Sequence, residues 1–558
     1  MANNTGRRRL GFWVLAALAG VVSAAVFLAA AEVVALLVAR DSSPILAVGS
    51  FVIDIVPRPF KEFAIATFGE YDKIALLAGL ASAVLFASAA AGVLQYLKPP
   101  LGVAALVVAG GLSLGAIVTR AGATPLAALP PSTGTIAGCL LLWFLISRLR
   151  RWAAASLSDP SHGTVSDGTV GSVDAGTPAA SDSRTPGERP TVHTKGAAVP
   201  ASVDRRMFLR VTAIAGASAV LVGVGARALI NATASSISAM RNALRLPAAR
   251  SAVTVPAGAE LGIPGLSPLF TPNADFYRVD TALTVPSIDP AAWRLVIDGM
   301  VDQRIELSFD DLVGMGLDEY AITLTCVSNE VGGELLGNAI WLGIPVRDVL
   351  QLAGPKAGAD MVLSCSVDGF TAGTPLESLT DDGLDAILAV GMNGEPLPLE
   401  HGFPVRMVVP GLYGYVSATK WLTELNVTTF AADEAYWTPR GYSARAPIKF
   451  SSRLDTPRTG EAIRAGRTAV AGVAWAQTVG IERVEVSIDD GAWQAATLSS
   501  PVNENTWVQW FVDWDATAGT HYVAVRAVNK NGDLQIEDRA PIAPDGSTGW
   551  QRTLVRVI

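Results

Sequence analysis

Residues 12–39 form an almost wholly apolar run, long enough for a helix to cross a bilayer, which takes about 20 residues. A segment of this kind constrains the chain more than any other feature, because a helix without a polar stripe cannot lie on the surface of a water-soluble domain. Similar runs occupy 74–97 and 101–119, a shorter one at 133–149 follows Pro130-Pro131, and another stretch covers 211–226. Buried core helices are the alternative, but several such runs without a charged face argue against it. The mean hydropathy of +0.38 therefore reflects a few segments, and the expectation is a four-helix transmembrane region over 1–151 with a fifth crossing inside 205–230.

Lysine and arginine near the helix ends set orientation. Arg7, Arg8 and Arg9 precede the first run, and Arg148, Arg150 and Arg151 follow the fourth. Both clusters are expected on the cytoplasmic side, although the loop at 40–73 carries Arg40, Arg58, Lys61 and Lys73. Glu32 falls within the first run and is expected near the outer interface. Residues 152–204 are dominated by Ser, Thr, Gly, Pro, Asp and Ala, which bury too little surface to offset ordering entropy, so a disordered cytoplasmic linker is expected. Asp204-Arg205-Arg206-Met207-Phe208-Leu209-Arg210 then precedes the 211–226 stretch in the manner of a twin-arginine export signal. With this helix retained as an anchor, everything beyond about 231 lies on the extracytoplasmic side of a multi-pass cytoplasmic-membrane protein.

The remainder reads as two domains. Over 255–445, short β-rich runs alternate with Gly/Pro turns and helical stretches, the pattern of an α+β domain. Trp293–Gly299, Ala321–Val327 and Met361–Val367 read as strands, and Ser308 as the N-cap of a short helix reaching Met315. Over 446–558 the pattern is all-β: Val484, Val486 and Ile488 alternate with polar residues, Asp490-Gly491 supplies a hairpin turn, and Asn531-Gly532 follows a strand at His521–Val528. This predicts an immunoglobulin-like β-sandwich with Trp507, Trp510 and Trp514 as packing residues. A net charge of −8 gives no reason to expect nucleic-acid binding. Cys139, Cys326 and Cys365 are too few and too scattered for a disulfide framework or a zinc site.

One cysteine stands out. Thr323-Leu324-Thr325-Cys326-Val327-Ser328-Asn329-Glu330 places it where a strand meets a loop with Gly332 and Gly333. Downstream come Met392-Asn393-Gly394-Glu395-Pro396-Leu397, His401-Gly402-Phe403-Pro404-Val405-Arg406 and Lys420-Trp421; upstream lies Phe276-Tyr277-Arg278. Taken singly, Cys326 reads as an inert core thiol, Arg406 and Lys420 as surface charges, His401 as a loop histidine and Tyr442 as a packed aromatic. Taken in order, the motifs resemble the sulfite oxidase family of molybdopterin oxidoreductases from about 265 to 558, and that order reverses the bland reading for Cys326, His401 and Arg406, less so for Tyr442.

The resemblance implies a mononuclear molybdenum–molybdopterin cofactor with Cys326 as thiolate ligand, a soft donor suited to the metal. It implies that His401, Arg406 and Lys420 hold the pterin and its phosphate, that Arg278 lies near substrate and cofactor, and that Tyr442 acts at the active site. Asp368 and Trp341 are further candidates for the pocket, Asp368 as a cofactor-binding residue. The implied reaction is two-electron oxygen-atom transfer on a small-molecule substrate, with an external electron-transfer partner and a homodimer formed through the C-terminal domain. With no histidine in the apolar helices, no C-x-x-C-H and no iron–sulfur cysteine set, no haem is expected in this chain. The chain departs from the family after the cysteine, where Val327-Ser328-Asn329-Glu330 replaces a run bearing arginines, and at Arg278-Val279-Asp280, where the family has R-N-H. Fewer cations and an added Glu330 argue for weaker sulfite binding. That leaves a reductase of S- or N-oxides such as methionine sulfoxide as a second enzyme reading, and a non-catalytic membrane-tethered binding protein as a reading of another class.

Overall fold

The computed structural model describes residues 2–38, 72–118, 125–157 and 201–558. Arg40, Arg58 and Lys61, with linker residues 158–200, lie outside the described residues. The described chain forms two compact units, Met1–Leu229 and Ile230–Ile558.

The first unit is helical: α1 (Ala2–Val38), α2 (Asp72–Leu97), α3 (Leu101–Val118), α4 (Leu129–Leu157) and the start of α5 (Ala201–Ala243). All five are long and apolar enough to cross a membrane. The fourth differs from the sequence expectation at both ends, starting before Pro130-Pro131 and passing the expected boundary at 151. The prolines sit in its first turn, where the missing N–H would have had no intrahelical partner. Likewise 201–204 are helical rather than linker. Leu142, Leu145, Leu149 and Phe208 are fully buried, whereas Phe86 (73% exposed), Leu140 (64%) and Leu221 (71%) give the unit an outer surface too apolar for water. Helices α1 and α2 approach so closely at Gly20 and Gly92 that a Cβ on either would collide with the facing backbone. The Asp204 carboxylate, buried, pairs with Arg148 at 3.0 Å, and Arg205 lies over the Trp152 ring at 5.6 Å.

The second unit opens with ten strands: β1 (Arg294–Gly299), β2 (Ile305–Ser308), β3 (Asp318–Thr325), β4 (Leu336–Pro345), β5 (Met361–Ser366), β6 (Thr371–Pro375), β7 (Ile387–Met392), β8 (Glu395–Pro396), β9 (Arg406–Val408) and β10 (Leu422–Thr428). One sheet has the order β2-β1-β10-β5-β6, with only β1 and β10 parallel. The other runs β3-β4-β7-β8, with β9 paired to β7. Helix α6 (Phe309–Gly314) is closed by a capping box: Asp311 N–H donates to Ser308 Oγ at 3.1 Å and Ser308 N–H to Asp311 Oδ2 at 2.9 Å. Helix α7 (Val346–Ala353) buries Val346, Val349, Leu350 and Ala353, the spacing of one helical face, and stops at Gly354 with φ 69°. These faces close a core with Leu295, Ile297, Leu388 and Leu425.

Beyond residue 450 the chain is β-rich: β11 (Ser451–Thr456), β12 (Ala462–Ile463), β13 (Gly466–Trp475), β14 (Ile481–Ile488), β15 (Gln494–Ala495), β16 (Thr497–Leu498), β17 (Val508–Ala516), β18 (Gly519–Asn529) and β19 (Gln551–Val557). Two sheets, β11-β13-β17-β16 and β12-β19-β18-β14-β15, share a core of Val470, Val484, Trp510, Val525 and Val555. The turn after β14 is displaced from expectation: Asp489 (φ 52°) and Asp490 (φ 55°) take the left-handed conformation, not Gly491. Asp489 Oδ1 accepts the Tyr522 N–H at 2.9 Å and Oδ2 lies 2.7 Å from His521 Nδ1, contacts that offset the strain.

Candidate active site

Strand β3 delivers Cys326 to a cleft by ending one residue before it. Cys326 N–H donates to Leu335 O at 2.9 Å and its carbonyl accepts the Asn329 N–H at 3.0 Å, turning the chain back. Asn329 Oδ1 accepts the Leu335 N–H at 2.9 Å, which closes the loop, and Ser328 N–H points to Cys326 Sγ at 3.4 Å. The β-rich C-terminal region braces this loop: Ser547 Oγ donates to Asn329 O at 2.7 Å and Arg453 to Gly333 O at 3.1 Å. Cys326 is 9% exposed and lines the cleft; burial pushes its thiol up, against the pull of the Ser328 N–H and Lys420. Cys139 and Cys365 are also free thiols but do not line it.

The cleft holds about 910 Å³ of space, part of it open to solvent. It brings together Cys326, Asp368, His401, Arg406, Lys420 and Tyr442. Arg406, at the head of β9, is buried, with its guanidinium carbon 5.1 Å from the Trp341 ring centroid. Its hydrogen bonds are long and go to carbonyls: His401 O at 3.3 Å, Ala418 O at 3.4 Å and Met407 O at 3.5 Å. Among the described residues no carboxylate oxygen lies within 4.0 Å of it. Burial lowers its pKa to about 10, opposed by Tyr277, itself buried and pushed up. His401 Nε2 is 3.2 Å from Asn273 O, and burial with the charges of Arg406 and Lys420 holds it down to about 4, so the ring is neutral at physiological pH. Lys420 donates to Asp280 at 2.9 Å and to Glu400 O at 3.0 Å; burial brings it down to about 8 although Asp280 pulls upward.

Two sequence candidates stand elsewhere. Trp341 is fully buried behind Arg406, not on the cleft wall; its Nε1 donates to Ile322 O at 3.0 Å, and it supports Arg406 from below. Arg278 is 40% exposed and reaches the cleft only through Asp280, to which its Nε donates at 2.9 Å. The sequence reading missed Tyr277, Asp280, Thr281 and Tyr415, all of which line the cleft. For Asp280 a signal was present, since it stands where the related motif has a histidine, but its 3%-exposed side chain and double pairing with Lys420 and Arg278 are tertiary facts.

A buried guanidinium with no carboxylate partner among the described residues, beside a second buried cation and a thiol on the cleft wall, suits an anionic, phosphate-bearing group with a thiophilic metal. The sequence profile described as "Oxidoreductase molybdopterin binding domain" matches residues 282–437, which hold Cys326, His401, Arg406 and Lys420. An uncharacterized oxidoreductase, YuiH, of Bacillus subtilis (strain 168) is 35% identical over 157 residues, 28% of this chain and 75% of the relative. The chain belongs to the sulfite oxidase family of molybdopterin-dependent oxidoreductases. Human mitochondrial sulfite oxidase is 31% identical over 322 residues, 49% of this chain and 58% of the relative, so the chain spans little more than half of that protein. Sulfite oxidase of Arabidopsis thaliana is 27% identical over 354 residues, 52% of this chain and 89% of the relative. Among solved structures, the sulfane dehydrogenase SoxCD of Paracoccus pantotrophus aligns with a TM-score of 0.47 at 23% identity, covering 55% of this chain and 86% of that one.

Proposed function

We propose that the chain is a membrane-anchored molybdopterin enzyme that carries out two-electron oxygen-atom transfer with Cys326 as its metal ligand. The observation that carries this is the sharing of one cleft by the Cys326 thiol and the Arg406 guanidinium, which has no carboxylate partner among the described residues. When bound, the molybdenum cofactor supplies the redox and oxo chemistry. The chain's own residues do the rest. Arg406 and Lys420 give the anionic tail of the cofactor its counter-charge, and neutral His401 presents a ring nitrogen without adding a third buried cation. Tyr442, which lines the cleft with ring centroids of Tyr415 at 5.5 Å and Trp437 at 5.2 Å, would offer its phenol as a hydrogen-bond donor to a reacting oxygen. Asp280 holds Lys420 in place between the cleft and the Glu400 carbonyl.

The five apolar helices support membrane anchoring, and the arginine clusters at 7–9 and 148–151 favour a cytoplasmic N-terminus with the enzyme unit outside. Electrons then pass to or from an external redox partner. The two-sheet C-terminal region supports an immunoglobulin-like assignment, and a homodimer through it is implied by the family resemblance alone. A reductase of S- or N-oxides is a second reading, favoured by the absence of arginine from 327–333; Glu330, expected to act against sulfite, is exposed and does not line the cleft.

Elemental analysis of protein made in a cofactor-competent host tests the assignment. Molybdenum near one atom per chain is expected, falling to background in Cys326→Ser; a metal-free wild-type protein would return the chain to a binding role. A substrate panel run in both redox directions distinguishes the two enzyme readings, and rapid sulfite-dependent reduction of an acceptor would overturn the second.

A further inference from the structure

The residues around the cleft fall into two contact groups. One holds two cationic pairs, Arg406 on the His401 carbonyl and Lys420 on Asp280, with Phe276 5.5 Å from the His401 ring and Trp421 4.8 Å from the Lys420 ammonium. The other is aromatic: Tyr442 meets Tyr415 and Trp437, Trp437 meets Tyr436 at 5.2 Å, and Tyr436 meets Phe370 at 5.8 Å. Asp368 belongs to this second group. Its Oδ1 accepts the Phe370 N–H and its Oδ2 the Thr281 hydroxyl, each at 3.2 Å. Among the described residues, no lysine or arginine nitrogen lies within 4.0 Å of that carboxylate.

Aromatic faces carry partial negative charge, and a carboxylate without a cationic partner adds to it. An oxyanion entering here meets repulsion; an alkylated cation meets apolar surface and attraction together. Behind this wall Tyr436, which packs on Trp437 and does not itself line the cleft, receives a cation on its face, with the Arg440 guanidinium carbon 3.7 Å from its centroid. We propose that the aromatic, acidic end of the cleft selects a small organic substrate with an alkylated positive head, an onium-type group, over an oxyanion. Asp368 is then a specificity residue of the substrate end, not part of the cofactor cradle. The inference rests on the proposed function only in giving the cationic end to the cofactor.

Choline and 3,3-dimethylbutan-1-ol have nearly the same shape and differ in charge, so they isolate the effect. Calorimetric titration of the purified full-length protein should show choline binding about tenfold more tightly than the neutral isostere, the scale of a desolvated cation–π contact with a nearby carboxylate. Asp368→Asn should remove that preference and keep the molybdenum content, and Trp437→Leu, which retains Asp368, should reduce it several-fold. Equal binding of the two isosteres by wild type, tighter binding of sulfite than of choline, or survival of the preference in both variants would overturn the inference. Loss of molybdenum in Asp368→Asn would assign the residue to the cofactor and overturn it as well. Metal analysis of the same wild-type sample reads the proposed function separately: metal-free protein that still prefers choline removes the enzyme assignment and upholds this one.

Discussion

Replacing Arg406 by methionine should leave the cofactor-free protein at least as stable as wild type while abolishing its ability to hold the cofactor. Burial lowers the Arg406 pKa from 12.5 to about 10, so the charged form carries a cost of roughly 3 kcal/mol at neutral pH. Because the folded-state value is depressed, this cost is constant below pH 10 and fades as pH rises from there towards 12.5. The guanidinium recovers part of it from the Trp341 face 5.1 Å away, about 1 kcal/mol, and little from carbonyls at 3.3 to 3.5 Å. Methionine keeps an unbranched stem of similar volume, so the substitution is expected to gain about 2 kcal/mol, much as apolar replacements of buried charges do. The assay is thermal unfolding, followed by tryptophan fluorescence, of protein made in a host that cannot synthesise molybdopterin. Inorganic phosphate, titrated in, should raise the wild-type midpoint and leave that of Arg406→Met unmoved. A variant several kcal/mol less stable than wild type, or one with an undiminished phosphate response, would refute the reasoning that this guanidinium waits for an anion.

Three further outcomes are expected from the same structure. His401 is held down to about 4, below its ordinary 6.5, so stability is complete above pH 6.5 and falls as pH drops towards 4. The loss should reach roughly 2 kcal/mol at pH 5 and be absent from His401→Gln, as read from unfolding midpoints across that range. Gly299 has φ 91°, and a Cβ there would strike the Val427 carbonyl on the parallel neighbour strand; Gly299→Ala should destabilise the protein by at least about 2 kcal/mol in chemical unfolding, and a neutral effect would contradict the β1–β10 packing. Changing Arg205 and Arg206 to lysine should stop export of the enzyme unit, scored by protease accessibility in spheroplasts; normal export would remove the twin-arginine assignment.

Much of the local structure was legible along the chain because short-range rules govern it. The Ser308 cap, the strands at 294–299 and 361–366 and the alternation of Val484 and Val486 depend on residues within a few positions of each other. The turn at Asp489-Asp490 was misplaced by one residue because its strained backbone is offset by His521 and Tyr522, more than thirty positions away. The extent of α4 was underestimated because a run of polar and charged residues can continue a helix that apolar content alone would end.

The sequence by itself determined the five apolar helices, the α+β and all-β character of the two stretches beyond them, and the set of residues at 326, 401, 406, 420 and 442, since hydrophobic pattern and ordered motifs are carried by residue types alone. Only the tertiary structure decided how those residues are charged and paired. It placed Trp341 under Arg406 instead of on the cleft wall, turned Arg278 away behind Asp280, and set Asp368 beside Phe370 and Thr281. Burial and proximity set these properties, and both arise when strands distant in sequence meet: a guanidinium becomes a buried charge in need of an anion only after β9, the loop behind β3 and the chain at 418–420 close around it.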